Sequence, residues 1–92
     1  MKNLKNLTVL IVTYNTQEKV LINCIKSINK KVKILIVENS NHFKHQKKIK
    51  KFRNVKFVCS GKNLGYGNGN NFGLKKIKTR FVLILNPDIL CD

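Results

Sequence analysis

The sequence predicts an α/β domain built on a mostly parallel sheet in the order βαβαβαβ. Four short runs rich in β-branched residues begin at positions 8, 32, 55 and 80, so successive runs start 24, 23 and 25 residues apart. Three of them are almost continuous in Val, Ile and Leu, which is typical of strands covered on both faces of a parallel sheet. Each interval is long enough for one strand, two short loops and a short helix. Strand–helix alternation then gives right-handed crossovers between parallel strands.

The strands are predicted at residues 8–13, 32–37, 55–58 and 80–85, and the first interval between them predicts the clearest helix. Asn15 is the expected N-cap of that helix, with Glu18 three residues later as its capping-box partner. The apolar residues of the helix follow the i, i+3, i+4, i+7 spacing of a sheet-facing stripe: Leu21, Cys24, Ile25 and Ile28.

Two weaker helices are predicted at residues 43–52 and 71–78. Their candidate packing residues are Phe43, Ile49 and Phe52 in the first, and Phe72, Leu74 and Ile77 in the second. The fourth strand is expected to form an open edge of the sheet, and association through that edge is expected in turn.

Composition limits the function classes. A chain of 92 residues supports one small core, and its apolar runs of at most five residues are too short to span a bilayer. Three cysteines at wide spacings fit neither a disulfide framework nor a zinc site. Without a secretory signal pattern, the expected location is the cytoplasm. The net charge of +15 has two explanations, a nucleic-acid or anionic-membrane partner or a lysine-rich coding bias.

Polar residues follow three of the four predicted strands, at the edge where open parallel sheets bind ligands. They are the segments 13–15 (Thr-Tyr-Asn), 38–40 (Glu-Asn-Ser) and 86–88 (Asn-Pro-Asp). The chain has only four acidic residues, so candidates for a metal ligand or base are limited to Glu18, Glu38, Asp88 and Asp92.

All five glycines lie in residues 61–73, after the third strand. Such a segment allows close approach of the backbone to a phosphate or close packing of the next helix on the sheet, and both interpretations stay open. It matches neither the dinucleotide-binding G-x-G-x-x-G pattern nor the phosphate-binding loop that ends in Gly-Lys-Ser/Thr.

Asp88 is the sharpest candidate for a metal ligand. It follows a buried strand and a proline, and Mg²⁺ or Mn²⁺ commonly takes one or two protein carboxylates together with phosphate oxygens of a substrate. The alternative is a turn residue or helix cap.

Four segments together resemble the start of family 2 glycosyltransferases with the GT-A fold, rhamnosyltransferase-like members in particular. They are residues 8–15 (TVLIVTYN), 35–40 (LIVENS), 63–73 (NLGYGNGNNFG) and 81–88 (FVLILNPD). The resemblance implies a Rossmann-like, partial GT-A nucleotide-diphospho-sugar transferase fold, with residues 1–92 as a single truncated nucleotide-sugar-binding domain.

The resemblance also implies roles for the residues after the first two strands. Tyr14, with Thr13 and Asn15 beside it, corresponds to residues that meet the nucleotide base. Glu38 corresponds to an aspartate that hydrogen-bonds the base, with a longer side chain here.

On the diphosphate side, Asn63 and Gly65 correspond to the turn and helix start near the nucleotide. Asn86 replaces the first acid of the family's Asp-x-Asp motif and is left as a neutral ribose contact. Asp88 matches the acid that binds the metal, Mg²⁺ or Mn²⁺, and through it the donor diphosphate.

The implied function is transfer of a sugar, with rhamnose as one candidate, from a UDP-, dTDP- or GDP-linked donor to a saccharide or lipid-linked acceptor in polysaccharide biosynthesis for the cell envelope. The expected location is the cytoplasm, at the inner face of the membrane, with peripheral membrane association and no nucleic-acid partner. Family members carry their general base in a later acceptor-binding half. No catalytic residue is therefore assigned, and the chain alone is expected to be inactive.

A basic α/β module that binds RNA or an anionic membrane surface is the alternative, motivated by the charge and the lysine-rich segment 47–53. A receiver-like or flavodoxin-like domain is disfavoured because no acid cluster follows the first strand. The two histidines, His42 and His45, are expected at the surface of the second helix.

Overall fold

A computed structural model describes residues 4–87 of the chain and confirms the α/β prediction. A short 3-10 turn (Leu4–Asn6) leads into four parallel strands that alternate with three helices. The elements are β1 (Leu7–Thr13), α1 (Glu18–Lys26), β2 (Lys33–Glu38), α2 (Gln46–Ile49), β3 (Val55–Cys59), α3 (Tyr66–Leu74) and β4 (Phe81–Leu85). All strand pairings are parallel, and the order across the sheet is β3-β2-β1-β4.

The register of β1 with its neighbours determines what meets at the end of the sheet. Thr13, the last residue of β1, is level with Glu38, the last residue of β2. On the other side, Ile11 is level with Leu85, the last residue of β4. Asn86 therefore leaves the sheet close to the end of β1.

The core has two layers because successive strand residues point to opposite faces. Val9 and Ile11 of β1 pack with α1 and α2 in one cluster, whereas Leu10 and Val12 pack with α3 in the other. The stripe predicted for α1 is confirmed, since Leu21, Cys24 and Ile25 are buried and Ile28 packs against the same cluster.

The predicted N-cap of α1 is wrong. The helix begins at Glu18 with Gln17 as N-cap, and no side chain caps it. Asn15 instead has a left-handed backbone with φ of 52°, which asparagine tolerates better than most residues. Its backbone N–H donates to the Glu38 carboxylate, so a contact with β2 overrides the local capping pattern.

Helix α2 is a single turn, shorter than the predicted 43–52. The expected anchors are nevertheless in place, because Phe43 and Ile49 are buried and Phe52 packs on the same cluster. Lysines at positions 44, 47, 48, 50 and 51 form like-charge pairs at helical spacing, which disfavours a longer helix.

Helix α3 begins five residues before the predicted 71–78, so three glycines lie inside it. A Cβ added at Gly69 would lie 2.9 Å from Val12 Cγ1, and one at Gly73 would lie 2.6 Å from Leu10 Cδ1. The glycines therefore allow the helix to pack closely on the sheet. Leu74, predicted as a packing residue, is 40% exposed.

Strand β4 forms an edge of the sheet, as predicted for the fourth strand. Its apolar side chains are only partly covered on both faces: Phe81 is 58%, Leu83 48% and Ile84 41% exposed. None of the helices in residues 4–87 has the length and apolar character needed to cross a lipid bilayer.

Candidate nucleotide-sugar site

Polar residues gather at one end of the sheet, which we call the carboxyl edge. It consists of the last residue of each strand and of the segments that follow the strands, residues 14–17, 39–45, 60–65 and 86–87. In open parallel sheets this is the edge at which ligands bind. Its centre is the adjacent pair of strand ends, Thr13 and Glu38.

Glu38 joins the segments that follow β1 and β2. Its side chain is 2% exposed, and its carboxylate accepts three hydrogen bonds. Thr13 Oγ1 donates to Oε1 at 2.6 Å, while Ser40 Oγ and the Asn15 backbone N–H donate to Oε2 at 2.7 and 3.2 Å. A buried carboxylate needs such donors, so Glu38 fixes the turn after β1.

Tyr14 lies between two of these donor residues, Thr13 and Asn15, and its own side chain is exposed to solvent. The residue is 56% exposed, between Thr13 and the left-handed Asn15. Its ring is therefore presented to solvent at the carboxyl edge by a turn that Glu38 anchors.

Asn39 links the carboxyl edge to the glycine-rich segment, a role that the sequence interpretation missed. It is 2% exposed. Its Nδ2 donates to the Gly65 carbonyl at 3.0 Å, and its Oδ1 lies 2.8 Å from Ser60 Oγ. The alternation of side chains along β2 could have revealed this role. Leu35 and Val37 face α3, and two residues later Asn39 lies on the same side of the sheet.

The turn before α3 is shaped by Asn63 and Gly65. Asn63 Oδ1 accepts the Gly65 N–H at 3.0 Å, and Gly65, the N-cap of α3, has φ of 83°, a conformation that favours glycine. No side chain caps the first turn of α3. Its free N–H groups therefore form the positive end of a helix dipole at the carboxyl edge.

Asn70, also missed, carries an unsatisfied buried oxygen. The residue is 9% exposed, and its Oδ1 has no hydrogen-bond partner among residues 4–87. It follows Gly69, where the helix packs against Asn39 and Val12. An unsatisfied buried acceptor costs about 1–3 kcal/mol, which is the kind of cost that a bound ligand can remove.

A cluster beside this edge ties α2 to the start of α1. His45 Nε2 lies 2.7 Å from the Thr16 carbonyl, and Nδ1 lies 3.5 Å from Glu18 Oε1. Lys48 Nζ lies 2.9 Å from the other oxygen of Glu18 and, by its hydrogen bond, lowers the pKa of that carboxyl. The prediction of a surface position is therefore wrong for His45, whose side chain is 11% exposed, although His42 is exposed.

The predicted site residues fall into two connected groups. Thr13, Asn15 and Glu38 are in contact, with Tyr14 between them; Asn63 and Gly65 are in contact with each other and are joined to the first group through Asn39. Asn86 directly follows β4. Asp88, Asp92 and Cys91 lie outside the described residues.

Comparison with known proteins shows the family to which this chain belongs. The model of the family described as glycosyl transferase family 2 matches residues 8–92. The chain belongs to glycosyl transferase family 2.

This family 2 chain is also similar to the low-salt glycan biosynthesis hexosyltransferase Agl10 of Haloferax volcanii. The two are 29% identical over 90 residues, which cover 94% of this chain and 29% of the relative. The chain thus spans less than a third of the length of that protein.

Few side chains of this family 2 domain have the chemistry of a metal ligand. Within residues 4–87, no group of three or more His, Cys, Asp or Glu side chains could hold an ion. Glu38 is committed to its three donors. Asp88, the candidate ligand for Mg²⁺ or Mn²⁺ in the sequence, lies outside the described residues, so its metal role stays a prediction.

Cys59, the last residue of β3, is not an activated nucleophile. Burial, followed by the nearby Glu38 charge, raises the pKa of its thiol above the ordinary value. The reactive species of a cysteine is the thiolate, so Cys59 stays in its unreactive form at neutral pH.

Proposed function

We propose that this chain is the nucleotide-sugar-binding part of a family 2 glycosyltransferase and that the carboxyl edge binds the nucleoside diphosphate of the donor. The observation that supports this most strongly is the network in which Glu38 fixes the turn carrying the exposed Tyr14. Next to it, Asn39 holds the uncapped start of α3. An aromatic surface and a set of free N–H groups thus share one edge.

For the base, we infer that Tyr14 supplies a stacking surface and that Glu38 acts first as a positioning residue. Aromatic side chains stack on nucleobases through their ring faces. Glu38 already accepts three hydrogen bonds from its own chain. A direct hydrogen bond from the base to the remaining acceptor capacity of its carboxylate stays a prediction.

For the diphosphate, we infer that the first turn of α3 offers backbone N–H groups, which bind anions without a charged side chain. The hydrogen bond between Asn63 and Gly65 shapes the turn that precedes them. Asn86 is proposed as a neutral contact to the ribose. Asp88 is proposed to hold Mg²⁺ or Mn²⁺, which, when bound, neutralises charge on the leaving diphosphate.

The finer assignments rest on resemblance. We propose a UDP-, dTDP- or GDP-linked hexose donor, with rhamnose among the candidates, and a saccharide or lipid-linked acceptor in cell-envelope polysaccharide synthesis at the cytoplasmic face of a membrane. The name of the Haloferax relative, a glycan hexosyltransferase, supports the hexose. No described residue is placed to act as general base for the acceptor, so we propose donor binding as the role of residues 1–92.

Calorimetric titration tests this proposal. UDP, dTDP and GDP are titrated into the chain with and without Mn²⁺, and at least one is expected to bind more tightly with the metal. Asp88→Asn should remove the metal dependence, whereas Asp92→Asn, a matched loss of one acid, should keep it. Equal behaviour of the two variants would remove Asp88 as the ligand, and no binding of any nucleotide would contradict the function.

A further inference from the structure

The positive charge of this chain is concentrated at the end of the sheet opposite the proposed donor site. We call this end the amino edge: residues 4–6, 27–32, 50–54 and 75–80, which lead into the four strands. Among residues 4–87, these segments carry ten Lys and Arg side chains, whereas the segments after the strands carry two, Lys44 and Lys62. The acids described, Glu18 and Glu38, both lie toward the carboxyl edge.

A groove of about 630 Å³ opens at the amino edge. We call it the basic groove. Its cationic side chains come from four parts of the chain, and none of the described residues that line it is acidic or aromatic. The six cations are Lys5, Lys33, Arg53, Lys56, Lys76 and Lys78.

The groove exists because α3 is too short to cover its face of the sheet. Nine helical residues are about 13 Å long, whereas the seven residues of β1 extend about 23 Å. Gly69 and Gly73 place the helix over Val12 and Leu10. The helix does not reach the amino-terminal end of that face, where the buried Thr8 and the segment 76–79 line the groove.

We propose that the basic groove and the amino edge around it bind the phosphate headgroups of an anionic phospholipid bilayer. Lysines clustered at one surface attract an anionic membrane without any apolar insertion. Because the four strands are parallel, the four segments that precede them lie at the same edge of the sheet, and one planar charged surface can contact all four segments at once. The carboxyl edge then faces away from the membrane and stays open to a soluble nucleotide sugar.

The composition of the groove favours lipid phosphate over RNA. Of the 19 Lys and Arg residues, only Arg53 and Arg80 are arginines, although the planar arginine fork is the group that recognises bases and phosphates with directional hydrogen bonds. Among the described residues no aromatic ring lines the groove, so bases have no stacking surface inside it. Point charges on flexible stems suit headgroups that differ in position.

The test compares two variants of equal net charge in vesicle co-sedimentation. The groove variant carries Lys33→Gln, Arg53→Gln, Lys56→Gln and Lys78→Gln; the control carries Lys19→Gln, Lys44→Gln, Lys47→Gln and Lys62→Gln. Each set removes four exposed cations. Circular dichroism checks that both variants fold as the unmodified chain does.

The unmodified chain is expected to sediment with phosphatidylcholine vesicles that contain phosphatidylglycerol, and to stay in solution with phosphatidylcholine alone. The groove variant should lose roughly tenfold or more in affinity for the anionic vesicles, and the control much less, since the headgroup field decays within about one Debye length.

Equal losses in the two variants would overturn the proposal, because net charge alone would then explain the binding. So would tighter binding to a 20-nucleotide single-stranded RNA than to anionic vesicles at equal phosphate concentration, or displacement from the vesicles by millimolar inorganic phosphate. These outcomes are independent of donor binding, which uses the opposite edge.

Discussion

Glu38 acts on the carboxyl edge through three hydrogen bonds rather than through an exposed charge. Its sequence position predicted a ligand contact, and the fold gives it a partner on the turn that follows β1. The pattern of residue types could locate Glu38 at a strand end. It could not show that the donors come from Thr13, Asn15 and Ser40, because that depends on the register between β1 and β2.

Thr13→Val tests this arrangement at one hydroxyl. The change keeps the shape of the side chain and removes the 2.6 Å hydrogen bond to Glu38 Oε1. Because the buried carboxylate loses a hydrogen-bond donor, the free energy of unfolding of the variant should fall by about 1–3 kcal/mol. Urea denaturation measures this change. Thr16→Val is the matched control, since the Thr16 side chain makes no hydrogen bond to the described residues. An equal effect in both variants would mean that the Glu38 network does not support the turn.

At the scale of elements, strands were easier to predict than helix ends. Apolar, β-branched runs identified all four strands. Burial on both faces explains the almost continuous runs of β1 and β2, whereas β4 has a continuous run although it is only partly covered. The start of α3 was missed since glycine is a poor helix former, and only packing against Leu10 and Val12 reveals why glycines are needed there. The end of α2 was missed because lysine repulsion is not visible in the apolar spacing.

Two glycine variants separate the packing role from helix propensity. Gly73→Ala would place a Cβ 2.6 Å from Leu10 Cδ1 and 2.9 Å from Val37 Cγ2, so overpacking should lower the free energy of unfolding by about 1–3 kcal/mol. Gly67→Ala meets nothing within 4 Å and should be neutral or stabilise by up to about 1 kcal/mol. Thermal unfolding followed by circular dichroism measures both, and a stabilising Gly73→Ala would contradict the close packing of α3.

The contact between α1 and α2 should respond to pH through Glu18. Lys48, followed by His45, holds the pKa of the Glu18 carboxyl below its ordinary value of 4.5. A lowered pKa in the folded state adds stability that is complete above the ordinary value and is lost as pH falls through the folded value. The carboxyl is 40% exposed, so the effect is small.

This direction of the pH dependence is checked by comparing the urea midpoints of the unmodified chain and of Glu18→Gln from neutral to acidic pH. The two should differ near neutral pH and converge as the solution is acidified. A gap that widens toward low pH would contradict the ion pair.

At the scale of the whole molecule, two features oppose each other: the partly exposed apolar edge strand β4 and the high net positive charge. Phe81, Leu83 and Ile84 are each more than 40% exposed on an edge strand, and such edges favour strand-to-strand association. The net charge of +15 opposes it, so association should increase as salt screens the repulsion.

Sedimentation velocity should therefore show concentration-dependent oligomers of the 92-residue chain at high salt. Leu83→Lys should shift them toward monomer, whereas Leu74→Lys, on the exposed surface of α3, should not. Equal shifts in both variants would argue against association through β4.

The two ends of the sheet thus carry different proposed partners, and the donor site is the central claim. Its most direct test is amide chemical-shift mapping by NMR during titration with the nucleoside diphosphate that binds most tightly, in the presence of Mg²⁺. The largest shifts are expected at Tyr14, Asn15, Ser40 and Gly65, all at the carboxyl edge. Shifts concentrated instead at Lys33, Lys56 and Lys78 would mean that the nucleotide occupies the basic groove through its phosphates, and the assignment of the carboxyl edge would be wrong.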